Sequence, residues 1–168
     1  MTISLAYFLN HETIDPNTLL KHAEMANDAG FDSIWNSDHF HPWVHNMGPG
    51  NQCGFSWVWM ASALERISRI KIGTGVTAPI LRYNPAIVAQ AFATLAIMYP
   101  KRVFLGVGAG EALNEVPCGY EWPSPKERVE RLEESIVVIK KLWTESLVTF
   151  KGKYYKLNKA NLYTKPNI

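Results

Sequence analysis

Residues 102–115 read RVFLGVGAGEALNE: a short apolar, β-prone run breaks into alternating glycines and then into Glu111, Asn114 and Glu115. Glycines at the end of a strand let a flat ligand approach the backbone closely. A carboxylate just beyond them is well placed to exchange a proton, because functional groups in parallel α/β folds gather at the C-terminal ends of the strands. Glu111 also has a plainer reading, as a carboxylate favoured by the dipole at a helix start. The glycine spacing bears on the fold as well. Gly106, Gly108 and Gly110 alternate, and no G-x-G-x-x-G follows the first apolar run, so an ordinary dinucleotide fold is disfavoured.

Upstream of this stretch, Asn84-Pro85 caps a predicted helix that runs to Met98 and is closed by Pro100. It is small and apolar almost all round, as expected of a helix packed on both sides. Ile70 to Val76 precedes it as a strand. Earlier still, Ile3 to Leu9 is a strand; Asp15-Pro16 starts a helix with Leu19, Ala23 and Ala26 on one side and Gly30 at its stop. Ser33 to Asn36 is the second strand, and Ser56 to Ile67 a helix with Trp57, Met60, Ala61 and Leu64 at helical spacing. Downstream, the spacing after Pro125 predicts an amphipathic helix with Val129, Leu132, Ile136, Ile139 and Trp143 facing inward. Leu147 to Leu157 then reads as a hairpin around Lys151-Gly152, and Asn161 to Ile168 as the approach to another strand.

Strands alternating with helices imply a parallel sheet with right-handed crossovers. An open doubly wound sheet and half of a (β/α)8 barrel both fit, and the half-barrel is favoured. About four βα units are present where a closed barrel needs eight. The expectation is an α/β chain forming one N-terminal half-barrel domain over residues 1–168, with the C-terminal half absent. Such a domain leaves strand edges and an apolar inner face bare, which predicts pairing with a second half-barrel chain or self-association.

Composition narrows the partners. With 47% hydrophobic and 12% aromatic residues among 168, the chain can bury a core. Its 17 Lys and Arg against 15 Asp and Glu are interspersed, so neither nucleic acid nor an anionic membrane is indicated, and a small-molecule substrate is expected. No apolar run reaches the roughly 18 residues of a membrane span, and Met1 leads into a strand pattern without signal-like features; a cytoplasmic location is the expectation. Cys53 and Cys118 lack metal-type spacing and read as ordinary thiols in a reducing compartment.

A second polar cluster, SDHFHPW at 37–43, stands where the second strand runs out. Asp38-His39 reads as a base and its orienter, since imidazole titrates near neutrality and a carboxylate fixes its tautomer. A solvated loop is the plainer alternative. The segment from Ser37 to Phe55 exceeds the length at which structureless connections are usually functional or disordered. It offers His39, His41 and His45 as metal ligands, but their spacing matches no common site and Pro42 stiffens the loop, so no metal is predicted.

Taken together, Ser37-Asp38-His39-Phe40, Phe55-Ser56-Trp57, Arg82-Tyr83-Asn84-Pro85-Ala86, Ala89 through Thr94, and Arg102 through Glu115 resemble the deazaflavin-dependent branch of the bacterial luciferase-like superfamily. The likeness is greatest to coenzyme F420-dependent glucose-6-phosphate dehydrogenases and spans Ile3 to Ile168, the N-terminal half of a family member. The resemblance implies a (β/α)8 TIM barrel that binds coenzyme F420, an 8-hydroxy-5-deazaflavin, at the strand ends. It implies hydride transfer from the CH–OH group of a sugar phosphate or secondary alcohol. By position it makes His39 the base for the hydroxyl proton, with Asp38 orienting it or contacting the cofactor. Glu111 becomes the proton donor on the ring side and Trp43 the residue that shapes the site. Asn114 and the backbone at Ala109 and Gly110 hold the cofactor. A cis peptide behind the ring falls at Gly75-Val76, where glycine replaces the serine or cysteine of the family pattern. A flavin-dependent monooxygenase of the same superfamily and a noncatalytic half-barrel assembly partner are the alternatives.

Overall fold

The computed structural model describes residues 3–44 and 51–167. Four parallel strands, β1 (Ala6–Leu9), β2 (Ser33–Asn36), β3 (Lys71–Thr74) and β4 (Val103–Phe104), pair in chain order as one sheet. The register sets Leu9, Asn36 and Thr74 side by side at the C-terminal end, with Ala6, Ser33 and Lys71 at the other. The chain forms two compact units, Met1–Thr77 with Lys101–Gly106, and Ala78–Pro100 with Val107–Ile168.

In the first unit, helices α1 (Pro16–Asp28) and α2 (Ser56–Arg66) cover one face of the sheet. Asp15 starts α1 by accepting the N–H groups of Asn17 and Thr18, with Pro16 at the first helical position. Such a cap is worth about 1 kcal/mol. Leu9, Ile34 and Ile72 from the strands meet Leu19, Ala23, Met60, Ala63 and Leu64 from the helices, all buried. Removing a side chain such as Ile34 from water contributes about 1.5–3 kcal/mol. Period-two alternation turns Phe8 and Trp35 to the opposite face, where both are exposed. β4 is shorter than the apolar run from Arg102 to Val107 suggests. The Gly106 carbonyl is taken by the Thr74 hydroxyl and the Thr77 N–H, both at 2.9 Å, so the chain leaves the ladder there.

The second unit packs α3 (Pro85–Met98) against α5 (Pro125–Thr144), with a short α4 (Ala112–Glu115) and the antiparallel hairpin β5 (Val148–Lys151) and β6 (Lys156–Ala160). The Glu134 carboxylate on α5 accepts the N–H groups of Lys153, Tyr154 and Tyr155 at 2.7, 3.0 and 3.2 Å, which fixes the hairpin turn. Two sequence expectations need correction. α3 is packed along one side only, with Ile87, Ile97 and Met98 exposed. On α5 the buried line is Ser135, Val138, Ile139 and Leu142, whereas Val129 is exposed. Serine takes a core position because its hydroxyl is satisfied by the Pro79 and Arg131 carbonyls, a pairing that residue type alone does not reveal.

Candidate active site

In the first unit the site is built on the C-terminal ends of β1, β2 and β3. After Leu9 the chain turns through Asn10, whose side-chain oxygen accepts the Glu12 N–H at 2.8 Å, an Asx-type turn. That turn carries Glu12 back over the strand ends. One carboxylate oxygen, Oε2, accepts from the Ser37 hydroxyl at 3.0 Å, and that hydroxyl in turn accepts the His11 N–H at 2.9 Å. The other, Oε1, lies 3.2 Å from Nε2 of His39; the two side chains are 4% and 14% exposed. A carboxylate this close orients the imidazole and fixes which ring nitrogen carries a proton.

Asp38, next in the chain, is held differently. Its Oδ2 accepts from the Thr77 hydroxyl at 2.5 Å and from the Trp57 indole N–H at 3.2 Å. Beneath it, the Asn36 amide donates to the Gly73 carbonyl at 2.7 Å and accepts from the Ser56 hydroxyl, tying the end of β2 to β3 and to the start of α2. Trp43 stands exposed with its ring centroid 5.6 Å from that of His39. The Gly75–Val76 peptide is cis. A Cβ at Gly75 would lie 2.9 Å from the Trp35 ring, so the indole already fills the space a side chain there would need. Val76 and Trp35 remain partly exposed beside it. His11, buried against Trp59 with ring centroids 4.9 Å apart, is pulled down to a pKa of about 4, chiefly by loss of water, with a backbone contact to Gly54 opposing the shift.

In the second unit Gly110 adopts φ +74°, and an added Cβ would press on Ala78 at 3.1 Å and Ile80 at 3.4 Å, so only glycine suits the position. Glu111 follows as the residue that begins α4. Asn114, buried on that helix, donates its N–H to the Glu111 carbonyl at 3.1 Å and sets its amide 3.5 Å from the Glu111 carboxylate. Glu115 is fully buried against Arg82.

The site residues expected from sequence thus form two groups: Asp38, His39, Trp43, Gly75 and Val76 in one unit, and Ala109, Gly110, Glu111 and Asn114 in the other. The structure brings His39 to Trp43 and Asn114 to Glu111. It adds Glu12, Thr77 and Trp57, which the sequence reading did not assign to the site. Glu12 stands three residues past the first strand, so the strand-end argument applied to Glu111 finds it as well. Trp57 reads as a helix-spaced core residue, and Thr77 belongs to no pattern. His45, one of three histidines considered as metal ligands, lies outside the described residues. Among the described residues no three His, Cys, Asp or Glu side chains converge as a metal site, and Cys53 and Cys118 do not form a disulfide with each other. No helix among them is long and apolar enough to cross a membrane.

The model of the luciferase-like monooxygenase family matches residues 3–168. The F420-dependent glucose-6-phosphate dehydrogenase of Segniliparus rotundus is 47% identical over 168 residues, which cover 99% of this chain and 49% of that protein. The protein of the same name from Mycolicibacterium fortuitum is 48% identical over 166 residues, 98% of this chain and 48% of the other. A solved F420-dependent secondary alcohol dehydrogenase, in complex with an F420-acetone adduct, superposes with a TM-score of 0.96 at 48% identity. It is matched over 100% of this chain and 50% of its own length. The chain spans about half the length of the curated relatives it matches.

Proposed function

Because the chain belongs to the luciferase-like monooxygenase family, we propose that it is the N-terminal half of a coenzyme F420-dependent dehydrogenase. It removes a hydride from the CH–OH group of a sugar phosphate or a secondary alcohol. The observation that carries this reading is the Glu12–His39 pair at the strand ends, with Trp43 beside it. Nearly half-identical relatives with F420-dependent activities support the choice of cofactor. Gly75 and Val76 offer backbone and an apolar side chain, and Asp38 borders them through its bond to Thr77. Asp38, Gly75, Val76, Ala109, Gly110 and Asn114 are the residues that would hold the deazaflavin.

When bound, the coenzyme supplies a two-electron acceptor for the hydride leaving the carbinol carbon. The protein's part is to manage protons and charge. His39 takes the hydroxyl proton as the hydride departs, a step worth about 10² to 10⁴ in rate when the base is within hydrogen-bond reach. Glu12 stabilises the imidazolium so formed, and Ser37 holds Glu12 in place. Trp43 shapes the substrate side, and Glu111 donates a proton on the ring side as negative charge develops. The barrel is completed by a C-terminal half of the kind the longer relatives carry, and the cytoplasm is the compartment we assign.

Fluorescence titration of the chain with oxidised F420 and with FMN, alone and mixed with a C-terminal half-barrel, tests the reading. F420 binding, strongest in the mixture, is expected. Preference for FMN would point to a monooxygenase, and failure to bind either cofactor in any combination would leave a noncatalytic assembly partner.

A further inference from the structure

The mechanism above makes no use of a deeply buried ion pair, Arg82–Glu115. Glu115 is fully buried and Arg82 is 8% exposed. The carboxylate accepts the Arg82 backbone N–H at 2.9 Å through Oε2 and faces the guanidinium Nε at 3.4 Å through Oε1. The guanidinium also donates to the Tyr83 hydroxyl at 2.9 Å and lies 4.2 Å from the centre of that ring. One carboxylate therefore grips both the main chain and the side chain of the segment that leads into α3.

The helix bearing that carboxylate cannot hold itself. α4 has four residues, its N-terminal residue Glu111 makes no side-chain cap bond, and the turn after it ends at Gly119 with φ +88°. A single helical turn fixes several dihedrals for few hydrogen bonds and is unstable without outside contacts. Glu115 supplies such a contact at one end of the turn, while Glu111 and Asn114 stand at its start and immediately before Glu115.

We infer that Arg82 and Glu115 are a positioning pair that presets Glu111 and Asn114 for the cofactor, an inference that rests on the assignment of those two residues to the site. The pair acts through the helix and touches no reacting atom. Removing one member strands the other as a buried charge, whereas replacing both with apolar side chains of similar size is often tolerated, because the cost of burying two charges disappears with them. That difference allows position to be separated from stability.

The test compares the wild-type chain with Arg82→Met/Glu115→Leu and with Glu115→Gln, which keeps an acceptor for the Arg82 N–H. Hydrogen exchange across residues 108–120 and F420 affinity are the readouts. The double variant is expected to stay folded, with exchange elsewhere unchanged, yet to lose protection at 111–116 and at least tenfold in affinity; Glu115→Gln falls between. A folded double variant with wild-type protection and affinity overturns the inference, as does wild-type behaviour of Glu115→Gln should the double variant not fold. If wild type fails to bind F420, the functional reading falls, and the exchange data on the same chains still decide whether the pair presets the helix.

Discussion

Oε1 of Glu12 lies 3.2 Å from Nε2 of His39, and Oε2 of the same carboxylate accepts from Ser37 at 3.0 Å. Both carboxylate oxygens are thus engaged by groups that fix its direction, and the imidazole has a buried anion against one nitrogen. In the proposed reaction, a carboxylate in this position holds the base in one tautomer and one direction. Glu12→Gln keeps the shape and removes the charge. It is expected to lower single-turnover hydride transfer by about 10²-fold, with F420 affinity changed by less than threefold. Unaltered transfer would remove Glu12 from the proton path.

His39→Ala and Glu111→Gln separate the two proton roles. Loss of His39 should abolish turnover in the completed barrel while cofactor binding stays nearly intact, if the imidazole serves the substrate as proposed. Glu111→Gln should reduce kcat and change the pH profile, because it removes the proposed donor on the ring side. A normal profile would return Glu111 to the role of a helix-start carboxylate.

His11 gives the fold an acid limit. Burial lowers its pKa from the ordinary 6.5 to about 4, so between these values the unfolded chain binds more protons than the folded one. Stability from neutral His11 is full above pH 6.5 and declines as pH falls toward 4; the shift corresponds to about 3 kcal/mol. His11→Leu should flatten the dependence of unfolding free energy on pH over this window, as read by urea denaturation at pH 7, 5.5 and 4.5. An equally steep dependence in the variant would place the acid sensitivity elsewhere.

The βα order was legible because strands and helices carry different periods and because Asp15 and Asn84 mark helix starts, where each side chain accepts a backbone N–H; the Ser124 cap on α5 was not read from sequence. His39 and Glu111 drew notice as candidates because each stands just beyond an apolar run. What stayed hidden depends on partners distant in sequence. The Glu12–His39 contact spans two strand ends, and Trp57 and Thr77 meet at Asp38 only once α2 and β3 are in place. The exposed side of α3 misled for a related reason: an apolar helix reads as buried whether or not the chain supplies its cover.

Gly75 stands where the resemblance implies a serine or cysteine, and Trp35 gives a physical account of glycine there. An added Cβ would stand 2.9 Å from Cε3 and 3.5 Å from Cβ of Trp35, with Phe8 at 3.7 Å. The indole cannot withdraw simply, since it also packs on Phe104 with ring centroids 5.0 Å apart. Gly75→Ser is therefore expected to cost about 1–3 kcal/mol through overpacking. Trp35→Leu opens that space at a cost of its own. If the indole is the obstacle, serine should be tolerated in the Trp35→Leu background, and the double-mutant cycle should show a favourable coupling of about 1 kcal/mol in urea denaturation. Additive effects would mean that the backbone at this strand end, and not Trp35, is what selects glycine.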